Sequence, residues 1–435
     1  MKNIFLIYRK PLLTNSILCF DNLKLFCFVF IAFNSMHPYI LWGRGIIVCC
    51  LIALLFFCQM IEYIYENKAS ISNLSRNHLL ILASWILLFA YVGILRDNSV
   101  GAIIMAIPIS FYPVIALILI TDKEKRRCLD WFTTFMAVLL LFSLLEYFLL
   151  LFGVLKMAPN IIYYPEQESN RYYFNYGLFI IIDDPRNFLL PRFQSIFMEP
   201  GHLGMMGCLL LYANGFNLRD KRVVILLIST IVTMSLAAYV LLIIGFFLFI
   251  YAKSSKKSLM ALRLFFLGFL LIGSGIVYYN LYPDSPFSTA ILGRLIPDDK
   301  KGIKGNNRNT EEFKKAFGVQ MEHFDADFFF GYGVGAQQKK LKNPGGNASA
   351  KLFIFEFGIV GLLLLLFFYT AQFIGIYSDV SMGMFFLFIF SFLQRPYAMW
   401  FVQIMIMMCG CVEFRIRYPQ KITRMQKYLF TLGKL

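Results

Sequence analysis

The sequence predicts an all-α protein that crosses a membrane many times. Hydrophobic residues make up 59% of the 435-residue chain and charged residues only 15%, against about a quarter charged in soluble domains. Apolar runs of membrane-spanning length recur from one end of the chain to the other. The basic residues behind the net charge of +16 gather in short segments between those runs, as they do in cytoplasmic loops. The charge therefore indicates membrane topology rather than nucleic-acid binding.

Each apolar run is predicted to be a helix through the hydrocarbon core, which is about 30 Å thick. The expected spans are 23–42, 45–64, 79–95, 100–120, 130–153, 200–217, 260–280, 348–370, 378–394 and 396–413. The basic segments between them include "TDKEKRR", "NLRDKR" and "KSSKK". If all the basic segments face the cytoplasm, the N-terminus lies inside and the first five spans cross the membrane in alternating directions.

One further run, 223–251, has basic segments on both sides and must return to the side on which it starts. It is too long for one ordinary span, but two helices of ~14 residues reach only ~21 Å each. Two short helices that meet near Thr233–Tyr239 are therefore predicted, and one long tilted helix is the alternative. Non-helical backbone at that depth needs protein or a polar cavity around it. With this pair, residues 1–435 form a single membrane domain of about 12 transmembrane helices with both termini inside.

Two long segments then face outward, the first over 154–199 and the second over 281–347. The second is the larger hydrophilic segment, and it contains the stretch "EEFKKAFGVQMEHFDADFFFGYG". The spacing of its apolar residues predicts a short amphipathic helix followed by a glycine-rich turn. Neither segment contains a cysteine, so no disulfide framework and no zinc site is expected.

The stretch "PRFQSIFMEPGHLG" places Arg192, Glu199 and His202 at the edge of an apolar run. Pro200 fits the first position of a helix, with Glu199 at the cap. A helix N-terminus favours anions, so Arg192 beside it suits a phosphate group and Glu199 could accept a proton. A capped helix with interfacial charges is the alternative. Three glycines would let another backbone approach this helix closely: Gly201, Gly204 and Gly207.

Other ionisable groups lie in the outward segments or near that side of the membrane. Arg294 and Arg308 belong to the large outward segment, and guanidinium groups match phosphate oxygens in a bidentate way; taken singly, each also fits a solvated loop. Glu146 and Glu356 lie within apolar runs, where a charge faces a cavity or a partner. His323 could supply a base, or could end a solvated helix.

The sequence contains no P-loop, no dinucleotide-binding glycine fingerprint and no H-E-x-x-H pair. Chemistry at the outer face without a nucleotide needs a substrate that carries its own leaving group. A glycan on a lipid pyrophosphate meets this requirement, and arginines would stabilise the departing anion. No metal ion and no organic cofactor is expected.

The order of these motifs resembles that of Wzy-type O-antigen and exopolysaccharide polymerases. "PRFQSIFMEPGHLG" is similar to their R-x-x-x-x-F-x-E-P stretch, and "TMSLAAY" to their short helix pair with a Ser. "GYGVG" with "NASAKLFIFEFGIVGL" is similar to the end of their large outer loop and the helix that follows. The resemblance covers roughly 190–365 in motifs and the whole chain in topology.

The resemblance implies a GT-C-like glycosyltransferase of the bacterial inner membrane, with its active site and both outward segments in the periplasm. It would join repeat units carried on undecaprenyl pyrophosphate, in O-antigen, lipopolysaccharide or other exopolysaccharide synthesis. Membrane lipid and a separate chain-length regulator would be its partners, without nucleic acid. The residues implied in catalysis are Glu199, Arg192 and Arg294. Those implied in substrate binding are Arg308, His202, His323, Asn347 and Glu356.

Two other functions remain open. The related O-antigen ligases carry a His nine residues before the Glu of this helix, but here that position is Asn347. Asn cannot accept a proton in the same way, which favours a polymerase and leaves the general base unassigned. A transporter of polysaccharide or lipid-linked solute is the alternative of another class. Repeated halves with charges along a central path would be typical of it, whereas the polar groups here gather on one side.

Overall fold

The computed structural model describes residues 10–66, 75–95, 100–156, 159–164, 172–183, 191–298, 302–303, 309–342, 348–373, 378–395 and 397–418. Within these residues the chain is a helical bundle around one main apolar core. A smaller apolar cluster lies under the large outward segment and is centred on Phe313 and Phe355. The architecture is that of an all-α membrane protein.

The described residues contain seventeen α-helices: α1 Lys10–Asn34, α2 Gly45–Glu66, α3 Arg76–Phe89, α4 Val100–Ala106, α5 Tyr112–Leu119, α6 Asp122–Leu151, α7 Pro200–Ala213, α8 Lys221–Val232, α9 Leu236–Lys253, α10 Lys257–Leu281, α11 Pro286–Ala290, α12 Glu311–Glu322, α13 Ala326–Phe330, α14 Ala336–Lys340, α15 Ala350–Ala371, α16 Asp379–Gln394 and α17 Phe401–Arg417. They also contain five short strands: β1 Asn160–Tyr163, β2 Tyr172–Asn175, β3 Ile180–Ile182, β4 Pro297–Asp298 and β5 Gly302–Ile303.

Six helical segments in the described residues are long and apolar enough to cross a membrane, judged by length and composition: Gly45–Ile64, Arg76–Gly93, Asp122–Leu151, Leu236–Lys253, Lys257–Leu281 and Ala350–Ala371. Ile104–Leu119 and Asp379–Gln394 are apolar but shorter. The first of these two contains a π-helical turn, Ile107–Phe111. Pro108 and Pro113 lie in and just after that turn and remove backbone donors from the regular ladder.

Helices α7 and α17 lie at the centre of the bundle. Every residue of α7 is buried, and so are the first fourteen residues of α17. The two helices pack on each other, with the rings of Tyr212 and Phe414 5.7 Å apart. By contrast, α10 has no buried residue. Because α7 contacts protein along its whole length, the length of this fourteen-residue helix need not match the thickness of the hydrocarbon core.

One end of the bundle is referred to here as the loop end. Three segments form it: 35–44, 191–199 and the described residues of 395–400, which are 395 and 397–400. The backbone N–H of Tyr39 donates to the carbonyl of Ile196 at 2.8 Å, and the rings of His37 and Trp400 are 5.1 Å apart. These contacts fix the start of α7 beside the end of α1 and the start of α17.

The opposite end is referred to as the basic end. Three segments form much of it: 118–127, 214–222 and 413–418. Arg126 pairs with Glu413 at 2.6 Å, and Lys257 pairs with Asp379 at 2.9 Å. The first ion pair joins the start of α6 to the end of α17, and the second joins the start of α10 to the start of α16. Successive long helices therefore run in alternate directions between the two ends.

Helices α8 and α9 form a broken pair, as the length of the run predicts. They are separated at residues 233–235, where Met234 has a positive φ of 46°. Both helices pack against α7 at its glycines: Gly207 faces Thr230 of α8, and Gly204 faces Ala238 of α9. The alternative of one long tilted helix is wrong, because both short helices return to the basic end.

Helix α15 has a sharp kink at Gly358, whose φ is 64°. The glycine-rich turn after α13 docks on the exposed backbone of this kink. Tyr332 N–H donates to the carbonyl of Phe355 at 2.9 Å, and Gly333 N–H donates to that of Glu356 at 2.8 Å. The turn therefore satisfies carbonyls that the break in the helix frees. The predicted amphipathic helix before the turn is confirmed as α12.

Two predicted boundaries are wrong. The span 23–42 ends early, because α1 stops at Asn34 and Pro38 then forms a bridge with Phe197. "TDKEKRR" is not a loop but the first turns of α6. Thr121 and Glu124 form a capping box that starts the helix before its apolar part.

The first outward segment contains a small sheet that the sequence pattern does not predict. Strands β1, β2 and β3 pair antiparallel in chain order, with Tyr173 opposite both Ile162 and Ile182. The fold class is thus helical, with this sheet in one connection and the antiparallel pair β4 and β5 in another. The short strands contact the loop end, where the rings of Trp42 and Tyr173 are 5.2 Å apart.

Candidate functional site

The N-terminus of α7 is built as the sequence predicts. Pro200 occupies the first helical turn, and Glu199 is the N-cap in extended conformation, with φ −142° and ψ 146°. The Glu199 side chain makes no capping hydrogen bond to the helix. Its carboxylate instead pairs with the guanidinium of Arg395, with 2.5 Å between Oε2 and Nη2.

Four side chains from two segments form a connected polar cluster at this point, referred to below as the Glu199 cluster: Glu199, His202, Arg395 and Tyr397. Arg395 Nη1 donates to the hydroxyl oxygen of Tyr397 at 2.5 Å. The same hydroxyl is 2.6 Å from His202 Nε2, and His202 Nε2 is 4.0 Å from Glu199 Oε2. Because the Tyr397 oxygen accepts from arginine, its own proton is available for the imidazole.

The Glu199 cluster is largely withdrawn from solvent. The side chains of His202, Arg395 and Glu199 are 1%, 13% and 22% exposed. Burial acts to lower the pKa of Arg395, but Tyr397 and Glu199 more than offset it, so its pKa is raised. Among the described residues none accepts a hydrogen bond from Arg395 Nε. A partly buried charge with a spare donor is a stronger anchor for an anion than a fully exposed arginine.

Aromatic rings hold the cluster in place. Tyr397 stacks on Trp400 with 3.9 Å between ring centroids and 14° between planes. The His202 ring meets both of these rings edge-on, at 4.8 and 4.9 Å. Trp400 in turn contacts His37. Edge-to-face and stacked rings limit the rotamers of each partner, so the imidazole and the phenol keep a fixed separation.

Gly201 makes room for the arginine. A Cβ atom at this position would lie 3.3 Å from Arg395 Nη2. The absence of a side chain thus lets the guanidinium lie against the first turn of α7. The guanidinium therefore lies beside the N-terminal end of a helix, and both features favour anions.

Arg192 lies beside the junction of α8 and α9. Its Nε donates to the carbonyl of Thr233 at 3.3 Å, and the neighbouring Phe193 N–H donates to the carbonyl of Val232 at 3.4 Å. Arg192 therefore contacts the C-terminal end of α8, where a cation is favourable. This contact links the approach to α7 with the broken helix pair.

Arg294 lies on a separate element, the 3-10 turn Leu292–Leu295. This turn packs on the end of α10, where Gly293 approaches Tyr279. Phe287 of α11, just before the turn, contacts the ring of Tyr239 at 6.4 Å. Tyr239 lies in the first turn of α9, just after the junction that Arg192 contacts, so this part of the large segment borders the Arg192 region.

Glu356 lies at the kink of α15 and not in the Glu199 cluster. Its Oε1 accepts from the backbone N–H of Gly335 at 3.1 Å, and its own carbonyl accepts from Gly333. The side chain thus holds the glycine-rich turn against α15. In the described structure Glu356 has a positioning role for the large outward segment.

Of the remaining predicted residues, two lie in the described part of the chain and two lie outside it. His323 is exposed at the end of α12, and the neighbouring Asp325 caps α13 through the N–H groups of Asp327 and Phe328. Glu146 accepts from the backbone N–H of Leu178 at 2.8 Å and so holds the first outward segment. Two residues lie outside the described part of the chain: Arg308 and Asn347.

Arg395, Tyr397 and Trp400 are site residues that the sequence pattern does not single out. They lie in "QRPYAMW", between two apolar runs with almost no polar sequence between them. The available signal was a single arginine in a short connection between two apolar runs, where a charge usually has a partner or faces a cavity. The pairing of Arg395 with Glu199 could not be predicted, because the two residues are far apart in the sequence.

Three carboxylates elsewhere lie close enough together to hold a metal ion: Asp21, Glu62 and Glu124. The ammonium group of Lys24 lies among them and pairs with Glu62 and Glu124, with Asp21 3.9 Å away. Lys24 therefore supplies the positive charge that a metal would bring. The ammonium is buried and the three carboxylates are partly buried near the basic end, away from the Glu199 cluster.

Comparisons of the chain with protein-family models, with curated proteins and with solved structures gave no match in any of the three.

Proposed function

We propose that the chain is a membrane glycosyltransferase that polymerises oligosaccharide repeat units carried on undecaprenyl pyrophosphate. The observation that carries the proposal is the Glu199 cluster, in which an arginine, a carboxylate and a phenol, all partly buried, meet a buried imidazole at the N-terminus of the central helix α7. The motif resemblance supplies the substrate class. The cluster lies at the loop end, where both long outward segments begin or end.

The proposal includes a topology. The chain has twelve crossings in a GT-C-like arrangement, with the broken pair α8 and α9 counted as two. Both termini and the basic end face the cytoplasm of a bacterial cell, and the loop end faces the periplasm across the inner membrane. The concentration of Lys and Arg at the basic end supports this orientation.

The reaction forms one glycosidic bond and breaks one bond to phosphate. A hydroxyl oxygen of the acceptor glycan attacks C1 of the sugar at the reducing end of the donor chain. The bond between C1 and the pyrophosphate oxygen breaks, and its electron pair leaves with undecaprenyl pyrophosphate. Arg395, together with the first turn of α7, stabilises the negative charge that develops on the leaving group.

The cluster also has a place for the proton that the acceptor hydroxyl loses. His202 lies 2.6 Å from the Tyr397 hydroxyl, so the phenol can pass a proton to the imidazole as it receives another. Glu199 keeps Arg395 oriented before the diphosphate arrives. Arg192 and Arg294 keep the roles that the resemblance implies, as contacts to phosphate or sugar at the border of the cluster.

Surface polysaccharide in a strain that lacks the gene tests this proposal. The strain is complemented with wild type, with Arg395→Lys and with Glu199→Gln, and glycan length is read on a gel. Because the lysine keeps the charge but loses the fork geometry, we expect single repeat units in place of long chains. The amide in place of Glu199 is expected to give the same result.

Glu413→Gln is the matched control, since Glu413 is also a buried carboxylate that pairs with arginines, but at the basic end. It is expected to leave chain length unchanged. Long chains from both cluster variants, at normal amounts of protein in the membrane, would contradict the proposal. Full-length polymer that accumulates on the lipid carrier when the gene is absent would instead indicate a ligase.

A further inference from the structure

A groove of about 900 Å³ opens at the basic end, on the far side of the bundle from the Glu199 cluster. The end of α9, the start of α10, the connection after α7 and the end of α17 form its walls. Three basic residues line the groove: Arg219, Lys253 and Arg417. None of the described residues that line it is Asp or Glu. The groove therefore has a net positive lining.

Two of these cations have no carboxylate partner within the described part of the chain. Lys253 is exposed, and its Nζ lies 5.3 Å from the ring centroids of both Phe249 and Tyr418. Arg219 is exposed next to Asp220, but the carboxylate of Asp220 pairs with Arg222 at 2.7 Å. Both cations are thus available to an anion that enters the groove.

Apolar side chains form another part of the lining, beside the polar Asn217 and Ser254. Phe246 is 41% exposed in the wall of the groove, and Ile250 and Met260 continue that wall. Met260 belongs to α10, whose residues are all unburied, so the groove is open along this helix. An occupant must therefore combine a negative head with an apolar body.

We propose that this groove binds an anionic glycerophospholipid. Its phosphate contacts Arg219 and Lys253, and its acyl chains lie along Phe246, Ile250 and Met260. Basic pockets between transmembrane helices are suited to such head groups. The segment that follows α17 in the sequence, residues 419–435, has four basic residues and no acidic one, so its charge does not complement the groove.

Photocrosslinking in lipid nanodiscs tests the proposal. The full-length protein is reconstituted in phosphatidylcholine with a trace of photoactivatable phosphatidylglycerol, and crosslinked peptides are mapped. We expect crosslinks in 215–219, 246–254 and 417–418. Arg219→Gln with Lys253→Gln should raise the half-saturating concentration of phosphatidylglycerol about 25-fold, or about fivefold for each cation.

The control is Lys123→Gln with Arg127→Gln, which removes two charges from α6 at the same end but outside the groove. Crosslinking is expected to be unchanged in this variant. Equal yields with phosphatidylcholine and phosphatidylglycerol probes, or equal loss in both double variants, would overturn the proposal. Stronger displacement by undecaprenyl phosphate or by inorganic phosphate would assign the groove to another ligand and overturn it as well.

Discussion

At the scale of single residues, the Tyr397 hydroxyl joins the two charged parts of the candidate site. It accepts from Arg395 at 2.5 Å and lies 2.6 Å from His202 Nε2. Hydrogen bonds to charged groups contribute about 1.5–3 kcal/mol. The hydroxyl therefore couples the guanidinium of Arg395 to the imidazole of His202.

Tyr397→Phe removes this hydroxyl and keeps the ring that stacks on Trp400. We expect a loss of about 1–3 kcal/mol in the free energy of unfolding, because buried donors lose their partner. Glycan extension should slow by about tenfold to a hundredfold, as expected for a lost bond to a charged group. Thermal unfolding in detergent and an extension assay measure the two effects.

Tyr212→Phe is the control for this prediction. Its hydroxyl is also buried and donates to the carbonyl of Val380 at 2.9 Å, but outside the site. It should lower stability by a similar amount and leave the extension rate intact. A comparable fall in extension in both variants would mean that Tyr397 acts only through stability.

Some residues of the candidate site could be predicted from a local sequence motif, and others could not because their partners are distant in the sequence. Glu199 and His202 could be predicted because a proline marks the helix start between them and the polar groups break an apolar run. Their pairing with Arg395 could not, because almost 200 residues separate the partners and no local pattern encodes the contact. Arg192 was predicted as a phosphate ligand, whereas the described contact is to a helix carbonyl; its functional role stays a prediction.

At the scale of elements, the glycines of α7 explain how the broken pair reaches the centre of the bundle. A Cβ atom at Gly204 would lie 2.5 Å from the Cβ of Ala238, and one at Gly207 would overlap the hydroxyl of Thr230. Small residues at such crossings let backbones approach closely. The junction next to Arg192 is held in place by this contact.

Gly207→Ala is therefore expected to destabilise the protein by about 1–3 kcal/mol through overpacking. Gly273→Ala in α10 is the control, because no atom lies within 4 Å of a Cβ there. That change should be neutral or stabilising by up to about 1 kcal/mol, since Ala is the better helix former. Thermal unfolding of the two variants in the same detergent measures the difference, and equal shifts would contradict the packing interpretation.

The sequence predicts some elements well and others poorly. The break between α8 and α9 followed from length and charge, because 29 apolar residues between two basic segments cannot form a single span. The end of α1 at Asn34 was not predicted, because most of residues 35–42 are apolar and extend the run. In the structure Pro38 of this segment instead pairs with Phe197 in an isolated β-bridge. The β1–β3 sheet was missed because its strands have only three or four residues each.

At the scale of the whole molecule, the Glu199 cluster and the basic end lie at opposite ends of the bundle. The Glu199 cluster and both long segments occupy the loop end, and Lys and Arg dominate the basic end. This separation predicts that the two ends of the bundle are exposed on opposite sides of the membrane. Single cysteines at Phe324 and Leu218, both exposed, would report on the two ends with a membrane-impermeant maleimide.

We expect Phe324→Cys to react in intact spheroplasts and Leu218→Cys to react only after permeabilisation. The wild-type protein controls for its own cysteines, of which the described ones are buried except Cys49 and Cys50. The reverse pattern would place the basic end outside. Reaction of both positions in intact spheroplasts would contradict an orientation with the two ends on opposite sides.

The most direct measurement uses purified protein in proteoliposomes with an undecaprenyl-pyrophosphate-linked repeat unit and no nucleotide. If the Glu199 cluster catalyses glycosyl transfer, chains of several units form, and one undecaprenyl pyrophosphate is released for each new linkage. Arg395→Lys should abolish both products, and Glu413→Gln should leave both unchanged. Movement of the intact repeat unit across the bilayer, with neither chain growth nor release of the carrier, would contradict the account.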